Sequence, residues 1–124
     1  MRQIVLLLCA AVLLAGCGGP APQTAETDSY RVTLRLEGES IQERTATIEV
    51  FDRAGQPVTA ERVVIAPVMR DMGMASPEVL AQPDGPGRYV ARGEFFSMLG
   101  IWELDVRVTA GGFQETATFR VEVT

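Results

Sequence analysis

Three of the five methionines in this sequence fall within six residues, Met69-Arg70-Asp71-Met72-Gly73-Met74. A fourth, Met98, sits in Phe95-Phe96-Ser97-Met98-Leu99-Gly100, a stretch that reads as a second connection. Thioether sulfur is soft and uncharged, so it prefers Cu(I) to zinc, calcium or magnesium. An M-x-x-M-x-M spacing with a glycine inside it lets two or three sulfurs turn toward one ion. Met98 joins them if the two connections share one end of the fold. The same residue types also serve as flexible filler over the end of a core, or as a hydrophobic contact for a partner protein. The spacing leaves all three uses open.

The rest of the composition narrows the chemistry. The chain has no His, which removes His-based triads, zinc–imidazole sites and imidazole general bases. Any copper site is thereby restricted to the reduced ion and to sulfur. The acids are scattered: Glu37, Glu39 and Asp84 have no calcium-loop spacing, and Asp71, beside the methionines, reads either as a solvated loop carboxylate or as a charge that tunes a cation site. There is no glycine-rich phosphate cradle and no G-x-S-x-G. The expectation is a non-enzymatic binding or accessory protein with no required cofactor. All 11 basic residues are Arg, and beyond Arg2 ten of them face 16 acids without forming a basic run. That balance argues against a nucleic-acid partner.

Arg2 precedes an apolar run, Ile4 to Leu14, that ends in Leu14-Ala15-Gly16-Cys17. A positive start, a short apolar stretch and small residues before a cut site describe an export signal. The run is too short to span a bilayer, which takes roughly 20 residues. Leu-Ala-Gly-Cys resembles the lipobox of bacterial lipoproteins. That resemblance implies removal of residues 1–16, a diacylglycerol on the Cys17 thiol and an acyl chain on its amino group. More than one acyl chain gives stable attachment, so the expected location is a membrane-anchored extracytoplasmic one, facing the periplasm or the cell surface. Cys9 then leaves with the signal and Cys17 carries lipid, so the mature domain has no disulfide and must rely on its core. Setting the first sixteen residues aside lowers the apolar fraction from 47% to about 42%, an ordinary value for a soluble domain.

Residues 17–29 combine the lipidated Cys with a stretch of small and polar residues containing two Gly and two Pro. They read as a flexible tether, with a reach of roughly 40 Å when extended. From Tyr30 the hydrophobic period is two. Tyr30, Val32, Leu34 and Leu36 alternate with charged and polar neighbours, as do Ala46, Ile48 and Val50, then Trp102, Leu104, Val106 and Val108. Residues 113–123 continue the pattern after Gly111-Gly112, which predicts a hairpin. Arg62 to Met69 is a near-continuous apolar run whose Pro67 marks an edge or a strand end. Arg88 to Phe95 predicts a further strand, and a short piece falls near residues 78–81. No helical pattern of useful length follows residue 30. Residues 30–124 are thus expected to form an all-β, immunoglobulin-like antiparallel sandwich of about seven strands, with Trp102 as a core anchor.

Pro67-Val68-Met69-Arg70-Asp71-Met72-Gly73-Met74, Pro86-Gly87-Arg88-Tyr89 and Met98-Leu99-Gly100-Ile101-Trp102 occur in an order that resembles the YtkA-like domain, a relative of FixH-like domains. The resemblance covers residues 30–124. It implies a small exported β-sandwich, often tethered to a membrane and associated with copper handling, respiratory oxidase assembly or metal efflux. It makes Met69, Met72, Met74 and Met98 the candidate Cu(I) ligands. Many members place His after the Met-Gly pair, where this chain has Met74, which leaves a site built from thioethers alone. The other reading is a structural or protein-interaction domain of the cell envelope with no metal.

The anchor is directly testable. Mass spectrometry of the membrane-bound protein should find a diacylated or triacylated Cys17 at the N-terminus, and Cys17→Ser should release the domain from membranes. An unmodified Cys17 would overturn the assignment.

Overall fold

The computed structural model describes residues 21–124, so the expected signal segment and Cys17 lie outside the described residues. Ten strands and one turn of 3₁₀ helix make up the domain. The strands are β1 (Gln23–Glu26), β2 (Tyr30–Glu37), β3 (Arg44–Asp52), β4 (Arg62–Met69), β5 (Met74–Ala75), β6 (Val79–Leu80), β7 (Gln82–Pro83), β8 (Arg88–Gly93), β9 (Gly100–Ala110) and β10 (Phe113–Val123). They form two antiparallel sheets, β1-β2-β3-β8-β7 and β10-β9-β4-β5, with β6 also paired to β4. The orders β2-β3-β8-β7 and β10-β9-β4 are the two sheets of an immunoglobulin constant-type sandwich. Seven strands therefore match the expected architecture, and the short β1, β5 and β6 are added to it.

The period-two segments form strands because each presents one apolar face. Val32 and Leu34 of β2, Ala46, Ile48 and Val50 of β3, and Trp102, Leu104, Val106 and Val108 of β9 are all essentially inaccessible to solvent. Phe95 and Phe96 are equally buried but follow β8 rather than extending it, since that strand ends at Gly93. Each fully buried large side chain contributes roughly 1.5–3 kcal/mol of transfer free energy. With no disulfide among the described residues, that core stabilises the fold. The β9–β10 hairpin turns through Gly111 and Gly112, with φ of 58° and 78°. Positive φ at both central residues is the geometry that matches the strand twist in a two-residue turn.

Two further expectations change. Residues 23–26 are not tether: β1 pairs with β2 from Gln23↔Leu34 to Glu26↔Arg31. It satisfies the backbone edge that β2 would otherwise expose. Arg53 fastens it, pairing with Glu26 at 3.2 Å and donating to the carbonyls of Asp28 and Thr27. Glu115, half-buried at the start of β10, accepts the Ser29 N–H at 2.8 Å. Burial alone would raise the Glu115 carboxyl, but the Ser29 and Thr27 hydrogen bonds and nearby Arg53 bring it below the usual carboxylate value.

Pro67, in turn, sits on neither an edge nor a strand terminus. Its strand has β9 on one side and β5 and β6 on the other. The carbonyl of Pro67 accepts the Ser76 N–H at 3.1 Å, so its missing N–H faces the gap between β5 and β6, where no ladder bond is required. The Ser76 hydroxyl, buried without a partner, lies in the same break.

Tyr89 and Gly87 close the end opposite the methionines. The Tyr89 hydroxyl donates to Val58 O at 2.9 Å and accepts from Ala60 N at 2.7 Å. Gly87 has φ +65°, and a Cβ there would stand 2.8 Å from both Pro57 Cβ and Val50 O. Gly111 has open space instead. Gly87→Ala should therefore destabilise by about 2–4 kcal/mol, because a clash adds to the backbone cost, whereas Gly111→Ala should cost about 1 kcal/mol. Urea unfolding midpoints of the two variants test this, and equal midpoints would refute it.

Candidate functional site

The β4–β9 ladder decides where the methionines go. It runs antiparallel from Arg62↔Thr109 to Val68↔Glu103, so the end of β4 lies beside the start of β9. The chain leaving β4 and the chain entering β9 therefore meet at one end of the sandwich. Met69 completes β4, and Arg70–Met72 form the 3₁₀ turn. Gly73 then adopts a left-handed conformation, φ 61° and ψ 30°. That reversal returns the chain so that Met74 pairs with Met69.

Burial divides the four sulfurs. Met69 is 3% exposed and belongs to the core. Its Cε lies 2.9 Å from the point where a Cβ on Gly100 would be, and Gly100 has φ +132°. Gly100 thus leaves the space that Met69 fills, and Met69 acts as packing rather than as a surface donor. Met72, Met74 and Met98 are 60%, 37% and 37% exposed. Met98 is held by its backbone: Trp102 Nε1 donates to the Met98 carbonyl at 2.9 Å. Trp102 packs against Phe96 at 5.6 Å between ring centroids, and the Arg44 guanidinium covers the other ring at 5.5 Å. The connection carrying Met98 is therefore anchored from inside the core.

The turn carrying Met72 is anchored from outside. The Arg70 guanidinium bonds to Glu103 and, at 2.9 Å, to Asp105, both on the outer face of β9. The hydrogen bond to Asp105, followed by the charges of Asp105 and Glu103, raises the affinity of Arg70 for its proton above its already high ordinary value. A fixed fork bonded to two carboxylates holds orientation better than a single exposed pair would. Sequence reading missed this clamp, because its partners lie 33 and 35 residues away. It also missed Ile41, which is 45% exposed in the β2–β3 turn. An isolated apolar residue in Glu39-Ser40-Ile41-Gln42-Glu43 was the available signal.

Chemically, this end offers three neutral, soft donors on two connections, with the exposed Asp71 next to one of them. Among the described residues no group of three or more His, Cys, Asp or Glu is placed to hold a metal. The donor set therefore suits a soft monovalent ion and not a hard one. A surface hollow of about 630 Å³ lies elsewhere. It is an open depression beside β8 lined by Glu37, Gln82, Asp84, Arg88 and Arg92, with charges of both signs and no converging set of groups.

A family model described as YtkA-like matches residues 24–107. The match begins inside β1 and takes in both methionine-bearing connections. No curated protein and no solved structure matches the chain.

The clamp has a measurable consequence. Arg70→Gln should leave the unfolding transition nearly unchanged while speeding amide exchange across Asp71–Gly73, because those residues lose their outer attachment. Unaltered exchange there would show that Arg70 does not hold the turn.

Proposed function

The chain belongs to the YtkA-like family, and from that premise we propose a lipid-anchored, extracytoplasmic accessory domain that presents Met72, Met74 and Met98 as a thioether site for Cu(I). It performs no catalysis of its own. One observation carries the reading: two connections far apart in sequence bring three partly exposed sulfurs to one end of the sandwich, each connection independently fixed. Side chains whose only task was to fill the core would be buried, as Met69 is. Neutral sulfur donors bind the reduced ion without first losing a proton, and the absence of imidazole disfavours the oxidised one. Asp71 supplies a nearby negative charge to offset the ion's own.

Anaerobic Cu(I) titration of the mature protein against a competing chelator tests the site. Wild type should retain Cu(I), and Met72→Leu/Met74→Leu should lose most of that affinity. Met69→Leu, a nearly volume-conserving change in the core, should keep it. Failure of wild type to hold Cu(I) would leave the domain as a protein-interaction module without metal, and equal retention by the double variant would remove Met72 and Met74 as the ligands.

A further inference from the structure

The exposed apolar residues are unevenly distributed. Among the described residues eight large hydrophobic side chains are exposed: Ile41, Met72, Met74, Leu80, Met98, Leu99, Ile101 and Phe113. Six of them, all but Leu80 and Phe113, belong to one end. Ile41 lies in the β2–β3 turn, Met72 and Met74 follow β4, and Met98, Leu99 and Ile101 lead into β9. These segments converge: Gly38 and Ser40 of the β2–β3 turn and Arg44 at the start of β3 line a hollow together with Glu122 and Val123. Val123 in turn pairs with Gly100. An exposed apolar end of this kind marks a contact surface.

The direction of β1 identifies what that end faces. Because β1 is antiparallel to β2 and begins at Gln23↔Leu34, the chain before it runs toward Glu37 and the β2–β3 turn. The N-terminal attachment thus leaves from the methionine end, not from the Phe113 end. Four residue steps separate Cys17 from Ala21, a reach of roughly 14 Å when fully extended. A lipid on Cys17 would hold this end against the bilayer.

We propose that the end bearing Ile41, Met72, Met74, Met98, Leu99 and Ile101 docks on the surface of the membrane that anchors the chain, its apolar side chains lying at the boundary of headgroups and acyl chains. The inference rests on the lipid anchor proposed above. A short tether keeps the local lipid concentration high, so a modest apolar face suffices without strong intrinsic affinity. The exposed acids Glu39, Glu43, Asp71 and Glu94 share this end with Arg44 and Arg92, while its Arg70 is paired with Glu103 and Asp105. The acids outnumber the remaining cations and are repelled by anionic headgroups, so the surface favoured is zwitterionic.

Spin labels report the orientation. Leu99→Cys and, separately, Ile41→Cys and Phe113→Cys would each carry a nitroxide on the processed, lipidated protein reconstituted in phosphatidylcholine vesicles. Labels at 99 and 41 should be shielded severalfold from a water-soluble nickel relaxant and gain contact with lipid-dissolved oxygen, while the label at 113 stays accessible. Adding phosphatidylglycerol should weaken the shielding. If the protein floats with the vesicles but all three sites are equally accessible, docking is refuted and the anchor stands. If it does not float, anchor and docking fall together. Shielding found only in native membranes and not in pure lipid would overturn the lipid surface in favour of a membrane protein as the occupant.

Discussion

Trp102 joins the two properties of this domain. Its ring is fully buried between the sheets, and its Nε1 holds the carbonyl of Met98 at the surface. Burying an indole without a partner for its N–H would cost free energy, so the connection before β9 must pass where it can supply a carbonyl. The core thereby dictates the path of an exposed segment. Gly100 completes the arrangement: its missing side chain leaves the space beside β9 that Met69 fills. Met69 is one residue from the turn that leads to Met72, so packing inside the sandwich sets the position of the sulfurs outside it.

The same topology gives the domain two unlike ends. β4 and β9 run antiparallel, as do β2 and β3 and also β9 and β10, so the methionine turns, the β2–β3 turn and the end of β10 all meet. At the opposite end the chain is closed by hydrogen bonds: Tyr89 holds Val58 and Ala60, and Arg53 holds the carbonyls of residues 27 and 28. That end is stabilised by satisfied polar groups and exposes Phe113, whereas the methionine end keeps six large apolar side chains in contact with solvent.

Legibility in the sequence follows from how local each constraint is. β2, β3, β9 and β10 were readable because one face of each is buried, which imposes the alternation directly on neighbouring residues. The methionine cluster was readable because three of its members are adjacent. β1 was not, since an edge strand exposed on most sides needs only backbone pairing, and Gln23-Thr24-Ala25-Glu26 carries no apolar alternation. The place of Pro67 was misjudged because the gap opposite it is created by a separate segment, residues 76–78. Nor could the sequence separate Met69 from Met72 and Met74. That division depends on Gly100, some thirty residues away, and on the register of β4 against β9.

Exposed thioethers and a nearby bilayer are compatible for an electrostatic reason. Close to acyl chains the effective dielectric is low, and a site built from carboxylates or ionised thiols would pay a large desolvation cost there. Methionine sulfur carries no charge, so Met72, Met74 and Met98 lose little when water is excluded. An ion held by them would bring a single positive charge, with the exposed Asp71 next to Met72 in the chain. The proposed copper contact and the proposed membrane contact would therefore draw on the same residues without opposing one another: the thioether is the side chain that is soft enough for the ion and apolar enough for the interface. In that proposed setting an imidazole at the position of Met74 would add a titrating group among the sulfurs, which a thioether does not.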